Sequence, residues 1–122
     1  MALIADYILD LALAEFDTAT TTLYITSAEA TSYAQASSTY ALGNKSSLSI
    51  GAPADRSPNG RKVTVAAITD GSVTGTGTAT HWAITKSGTT LMATGSLSSS
   101  QAVTSGNTFT LAAFDIGFPD AV

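Results

Sequence analysis

A hydrolytic triad needs a base that takes the proton of its nucleophile, and His81 is the only histidine in this chain. Serine and threonine are so abundant that a hydroxyl beside His81 carries no information. Glycosidase-type chemistry needs two carboxylates facing each other across a cleft. The nine acidic residues are scattered instead, and Asp17, Asp70 and Asp120 fall in predicted turns. There is no cysteine, which removes any disulfide framework or thiolate metal site. A histidine-only metal site would need ligands that this sequence does not cluster. The stretch GTGTAT at 75–80 lacks the lysine and the following helix of a phosphate loop. Trp82 and the tyrosines could stack a sugar or a base, but a lone tryptophan on a strand is first a core residue. The expectation is therefore no enzyme, no catalytic residue, no cofactor and no metal.

The elements around His81 and Trp82 are the clearest in the chain. Over residues 78–114 the sequence reads as three successive strands with polar turns. Alternate side chains of a strand point to opposite faces. Trp82 and Ile84 thus face a core, while His81 faces outward or toward a thinner second layer. Ser87-Gly88 is a hairpin turn, and residues 89–95 return, with Gly95 and the serine run 96–100 ending the strand. Residues 101–103 and 108–111 form a second hairpin about Ser105-Gly106-Asn107, with Phe109 and Leu111 as its apolar pair. β-Branched and aromatic residues suit a half-buried pleated surface.

Other segments follow the same logic. Leu3, Ile4, Tyr7, Ile8 and Leu11 recur at helical spacing, so residues 3–16 are expected to form a short helix, although Tyr7, Leu9, Leu11 and Leu13 also alternate. Residues 22–27 read as a strand. Ser32 with Gln35 fits a capping box, starting a helix that runs to about Tyr40 and stops at Gly43-Asn44. Residues 46–50 and 61–68 read as strands, joined by the irregular loop 51–60. Asp70-Gly71 looks like a hairpin turn, and the glycines of 72–79 predict a bulge or a close backbone approach. Phe114, Ile116 and Phe118 alternate as a last edge strand, ended by Pro119. The fold class expected is mainly β: an antiparallel β-sandwich or barrel-like domain with one or two short helices. One domain, 1–122, is expected from the length, with 1–16 a possible N-terminal arm or helix and 114–122 a C-terminal tail.

Composition excludes some partners. Charged residues make up 11% of the chain, against roughly 25% in ordinary soluble domains. Solubility must then come from hydroxyls. Low charge also suits a surface covered in an assembly, because charge is costly to desolvate. Five basic residues and a net charge of −4 leave no electrostatic footprint for nucleic acid. No basic amphipathic stretch marks a membrane surface. The start, MALIADYILDL, has no basic n-region and is interrupted by Asp6 and Asp10, so neither a secretory signal nor a bilayer span is expected.

The segments ILD and LYI within 8–25, YALG at 40–43, SIGAPADRSPNGRKVTVAAITDGSVTGTGTATHWAI at 49–84 and LMATGSLSSSQAVTSGNTFTLAAFDIGF at 91–118 resemble small virion structural proteins of tailed bacteriophages. The resemblance covers most of the chain and carries no catalytic residue. It implies a capsid decoration, or cement, protein made in the bacterial cytoplasm and bound to the capsid exterior. Its partner would be the major capsid protein, and it would form a homo-oligomer, a trimer in preference. The alternatives are a head fibre, neck or tail component, or a host-surface carbohydrate-binding module. Candidate protein-contact residues are Leu3, Ile4 and Tyr7 in the N-terminal segment, Pro53, Arg56, Pro58 and Arg61 in the loop, and Phe114, Ile116 and Phe118 in the tail.

Overall fold

The structure is a computed structural model that describes residues 6–18, 21–46, 48–57, 60–86 and 90–118. It is mainly β, as the alternation predicts. In order the elements are α1 (Asp6–Thr18), β1 (Thr21–Thr26), a π-helical segment (Gln35–Thr39), β2 (Ala41–Ser46), β3 (Ala54–Asp55), β4 (Arg61–Val65), β5 (Ile68–Val73), β6 (Gly77–Lys86), β7 (Thr90–Val103), β8 (Thr108–Leu111) and β9 (Phe114–Phe118). The chain divides into two compact units. One comprises Met1–Ala19, Ser49–Ala67 and Ala112–Val122; the other comprises Thr20–Leu48 and Ile68–Leu111.

The larger unit is a curled, antiparallel half-barrel sheet in the order β7-β6-β1-β2-β5-β8. Leu23 lies opposite Ile84 and Ile25 opposite Trp82, which puts these four on one face. Leu23, Ile25 and Ile84 are buried there. The other face carries Ala83, which packs with Ala30 and Ala36 under Tyr40 and Leu91. This is the thinner second layer, and small alanines let the π-helical segment approach the sheet. The expected capping box is half formed: the Ser32 hydroxyl accepts from the Gln35 N–H at 3.3 Å, but the Gln35 side chain accepts from the Thr31 N–H at 2.8 Å, one residue before Ser32. The turn then widens, with the Tyr40 N–H donating to Gln35 C=O, five residues back, at 2.9 Å. The helix expected there is thus π-helical in its main part, and the Ser37 hydroxyl holds the Tyr33 carbonyl at 2.8 Å.

Two aromatic rings are seated on glycines, and this explains several departures from the sequence reading. Asp70-Gly71 is not a turn but lies inside β5, and Gly43-Asn44 lies inside β2 instead of stopping a helix. A β-carbon on Gly71 would collide with the Phe109 ring; one on Gly43 would come within 2.5 Å of Ser72 C=O and 3.2 Å of that ring. Phe109 itself is 1% exposed. A glycine in a strand here marks close packing, not a reversal. Likewise Trp82 lies opposite Gly95 in the ladder, and a β-carbon there would sit 2.6 Å from the indole. Gly95 therefore continues β7. The serine run also continues it: the register passes from His81↔Ser96 to Ala79↔Gln101, so residues 97–100 swell out as a bulge without ending the strand.

The second predicted hairpin is likewise corrected. Its turn is present, with Gly106 at φ 91, but β8 pairs with β5, at the opposite edge of the sheet order from β7. The Gly106 N–H donates to Val73 C=O and the Val73 N–H to Asn107 C=O, both at 3.0 Å, so the turn is docked on the end of β5. The strand expected over 72–79 is broken at 74–76, where the Thr74 and Gly75 N–H groups both donate to Leu42 C=O. The strand expected over 46–50 is replaced by β2, which ends at Ser46; among the described residues beyond it there is an isolated bridge from Ile50 to Val65. β4 ends at Val65, short of Ile68. The turn expected at Ser87-Gly88 lies outside the described residues.

The smaller unit joins α1 to a three-stranded sheet in the order β3-β4-β9. The helix predicted near the N-terminus forms, but its buried stripe is Leu9, Leu13 and Phe16, at i, i+4 and i+7. It packs on β4, whose Val63 and Val65 are 1% and 0% exposed. Among its described residues the loop 51–60 is mostly irregular, as expected, except that β3 pairs with β4. The tail forms the expected edge strand β9, paired antiparallel to β4.

Candidate interaction surface

The three sequence-distant segments chosen as contact regions all fall in the smaller unit. Leu3, Ile4 and Pro58 lie outside the described residues. The other seven lie on α1, on the 53–61 segment and on β9.

On α1 the apolar residues divide between two faces. Leu9, Leu13 and Phe16 are buried, whereas Tyr7, Ile8 and Leu11 are 69%, 52% and 53% exposed. The last three come from the periodicity that predicted the helix, so the face that signalled the element is the one left in solvent. Large apolar side chains grouped on one exposed helix face mark a surface suited to contact.

The 53–61 segment is held by Arg61. Its Nε and Nη2 donate to the two Asp10 carboxylate oxygens at 2.7 and 3.2 Å, its Nη1 donates to Asp55 at 2.5 Å, and Nη2 reaches Pro53 C=O at 3.4 Å. A two-toothed arginine–carboxylate pair is among the stronger charge-assisted contacts. The Asp10 carboxylate, then Asp55, raise the guanidinium above its already high ordinary value. Arg61 thus ties α1 to β4 and to the loop, and its side chain is only 18% exposed. Pro53 and Arg56 are half-buried beside it.

β9 presents Phe114 and Ile116 half-buried, with the backbone of Phe118 opposite Arg61. Its outer edge has no partner strand among the described residues. Asp115 accepts from Thr64 Oγ1 at 2.6 Å and from Lys62 Nζ at 3.0 Å. These two contacts, Thr64 first, hold its carboxyl below the ordinary value of 3.8.

His81, Trp82 and Tyr24 lie in the larger unit. His81 is half-buried and its Nδ1 is 2.8 Å from Thr80 Oγ1. One face of the Trp82 indole is taken up by Gly95. Burial, and then a hydrogen bond with Tyr33, raise the Tyr24 phenol above its ordinary value. Among the described residues no group of three or more histidine or acidic side chains is placed to hold a metal ion, and no helix is long and apolar enough to cross a membrane.

Sequence reasoning missed two features of this surface. The Arg61 clamp joins residues 51 positions apart, and no local pattern announces such a pair. The exposed stripe of α1 was visible as apolar spacing, but which of two apolar stripes would be buried depended on the sheet. No known protein family, curated protein or solved structure matches the chain.

Proposed function

We propose that this chain is a structural protein of a bacteriophage virion, of the capsid decoration type, which binds the major capsid protein shell from outside as a homo-oligomer and stabilises it. The observation that carries this reading is the exposed apolar stripe Tyr7, Ile8 and Leu11 on a helix whose opposite face is already packed. A small β-rich body with few charges is suited to being gripped by other protein chains, since little charge has to be desolvated. Repeated copies on a shell raise the effective concentration of each further contact. The resemblance of the sequence to small tailed-phage virion proteins points the same way.

The test uses assembled shells of a tailed-phage major capsid protein, screened with this chain added. Added protein is expected to bind over the whole shell and raise its melting temperature. Shells equally stable with and without it remove the cementing role. Labelled copies confined to one vertex assign the chain to a neck, tail or fibre position instead. The triple variant Tyr7→Ser, Ile8→Ser, Leu11→Ser leaves the packed face of α1 intact and is expected to weaken shell binding about tenfold or more.

A further inference from the structure

β7 runs for 14 residues along one edge of the six-stranded sheet. Its inner side pairs with β6. Among the described residues no strand pairs with its outer side. Such an edge is a row of backbone donors and acceptors that templates another strand, and proteins guard it with lysine, proline or bulges. Thr90–Val103 contains no charged residue and no proline. Its guards are two bulges, one at Met92 and one at residues 97–100. Between them Ala93, Thr94, Gly95 and Ser96 stay in register with Ile84, Ala83, Trp82 and His81. This short stretch is the usable edge.

One side chain overhangs it. Trp82 stands one strand further in, opposite Gly95. A β-carbon on Gly95 would lie 2.6, 2.7 and 2.8 Å from Cζ2, Cε2 and Nε1 of the indole. The far side of the ring thus covers the glycine at the rim of the sheet, and Trp82 is still half-exposed. A strand added beside β7 would run about 4.8 Å farther out. The residue it sets opposite Gly95 shares that face and lies next to the ring, so a small residue fits best there.

We infer that this strand is β7 of a second copy, antiparallel, with Gly95 facing Gly95 across a two-fold axis. The register supplies glycine where the indole leaves room for little else. It sets Thr94 opposite Ser96 and Ala93 opposite Leu97 of the other copy. A two-fold sets every charged side chain of a strand near its own mate, and β7 has none to repel. The two indoles come together over the paired glycines, which removes their exposed sides from water. The ladder is short, so the pair forms at high protein concentration. The pairing states how copies of this chain meet and does not depend on the role in a virion.

The experiment is sedimentation equilibrium of the full chain over a wide concentration series, with emission of Trp82, the only tryptophan, followed in parallel. The mass is expected to rise from one chain toward two while the emission moves to the blue. Ser96 is exposed, and Ser96→Lys sets two ammonium groups diagonally across the ladder, so it is expected to weaken the pair about tenfold. Thr108→Lys, on the opposite edge strand β8, is expected to leave it unchanged. The chain has no cysteine, so the register can be read by cross-linking. On oxidation, a mixture of the single variants Thr94→Cys and Ser96→Cys is expected to join between the two kinds in preference to within either. If Ser96→Lys unfolds the sheet, the cysteine mixture decides alone. A chain that stays single at the highest concentration, with unmoved emission, overturns the proposal even if it still binds shells. So does an oligomer that a well-folded Ser96→Lys leaves intact, or cross-linking with no preference for the mixed pair.

Discussion

The two units reach stability by different means. The larger one is a hydroxyl-rich sheet that contains only Glu29, Lys45, Asp70 and Lys86 of the charged residues. Its interior depends on shape, with the Phe109 ring seated on Gly71 and Gly43 and the Trp82 indole on Gly95. The smaller unit has a short three-stranded sheet and one helix, too little to enclose a broad apolar core. It adds charge-assisted links, Arg61 to Asp10 and Asp55 and Lys62 to Asp115. The larger unit, whose described ion pair is the exposed Lys45–Asp70 contact, should therefore respond more to single methyl groups, and the smaller one more to pH and salt.

The largest effect should come from Phe109→Ala, which removes a ring that is 1% exposed and empties the space above two glycines. A loss of about 3–5 kcal/mol is expected, read from the denaturant midpoint with Trp82 fluorescence as the probe. The converse change, Gly71→Ala, drives a methyl group into that ring and should lose about 1–3 kcal/mol. If Gly71→Ala leaves the midpoint unmoved, the ring is not seated as described and the contrast between the units fails.

A smaller effect, confined to the other unit, is expected from Arg61→Ala. It leaves the Asp10 carboxylate without its two-toothed partner, so amide exchange along α1 should quicken while the β1 and β6 amides keep their protection. Arg61→Lys should restore only part of that protection, because an ammonium cannot reproduce the planar fork. Equal loosening of β6 would mean that the clamp does not act locally.

The smallest effect concerns pH. Because the folded Asp115 carboxyl titrates below its ordinary value of 3.8, its contribution is fully present above that value and is lost as pH falls through the folded one. Melting of the wild-type chain should fall in acid by slightly more than that of Asp115→Asn, which lacks this titration. Parallel pH profiles for the two would remove Asp115 as a contributor. Raising the salt concentration should weaken the same contact.

The strands that were easiest to read are those whose alternation is strict. Over residues 80–86 one face carries Trp82 and Ile84, and over 22–27 the alternating pattern again marks a strand. The N-terminal segment read as helix against a competing strand alternation, and it is the helix that forms; the edge role of residues 114–118 was also legible. The glycines were misread in a consistent direction. Gly43, Gly71 and Gly95 each look locally like a terminator, because glycine does favour turns. In the fold each one is a seat for an aromatic ring, supplied for Gly43 and Gly71 by Phe109, which is distant in sequence. The serine run at 96–100 was misread for a related reason: polar residues end many strands, but an edge strand can carry them on a bulge. Of the candidate surface, Tyr7, Arg56, Arg61, Phe114 and Ile116 were all named from the sequence, but not the internal partners of Arg61.

From its residues alone this chain is bound to be rich in strands, poor in charge and without cysteine chemistry, while its N-terminal apolar spacing fits a helix and also a strand. These properties follow from composition and from periods of two and 3.6 residues, which are local. Folding decided which strand pairs with which, which apolar stripe of α1 is covered, and that Arg61 meets Asp10. A period reports which face a side chain takes but not what lies across from it. Ladders, ring-on-glycine contacts and ion pairs between distant positions are settled only when the backbone has closed around them.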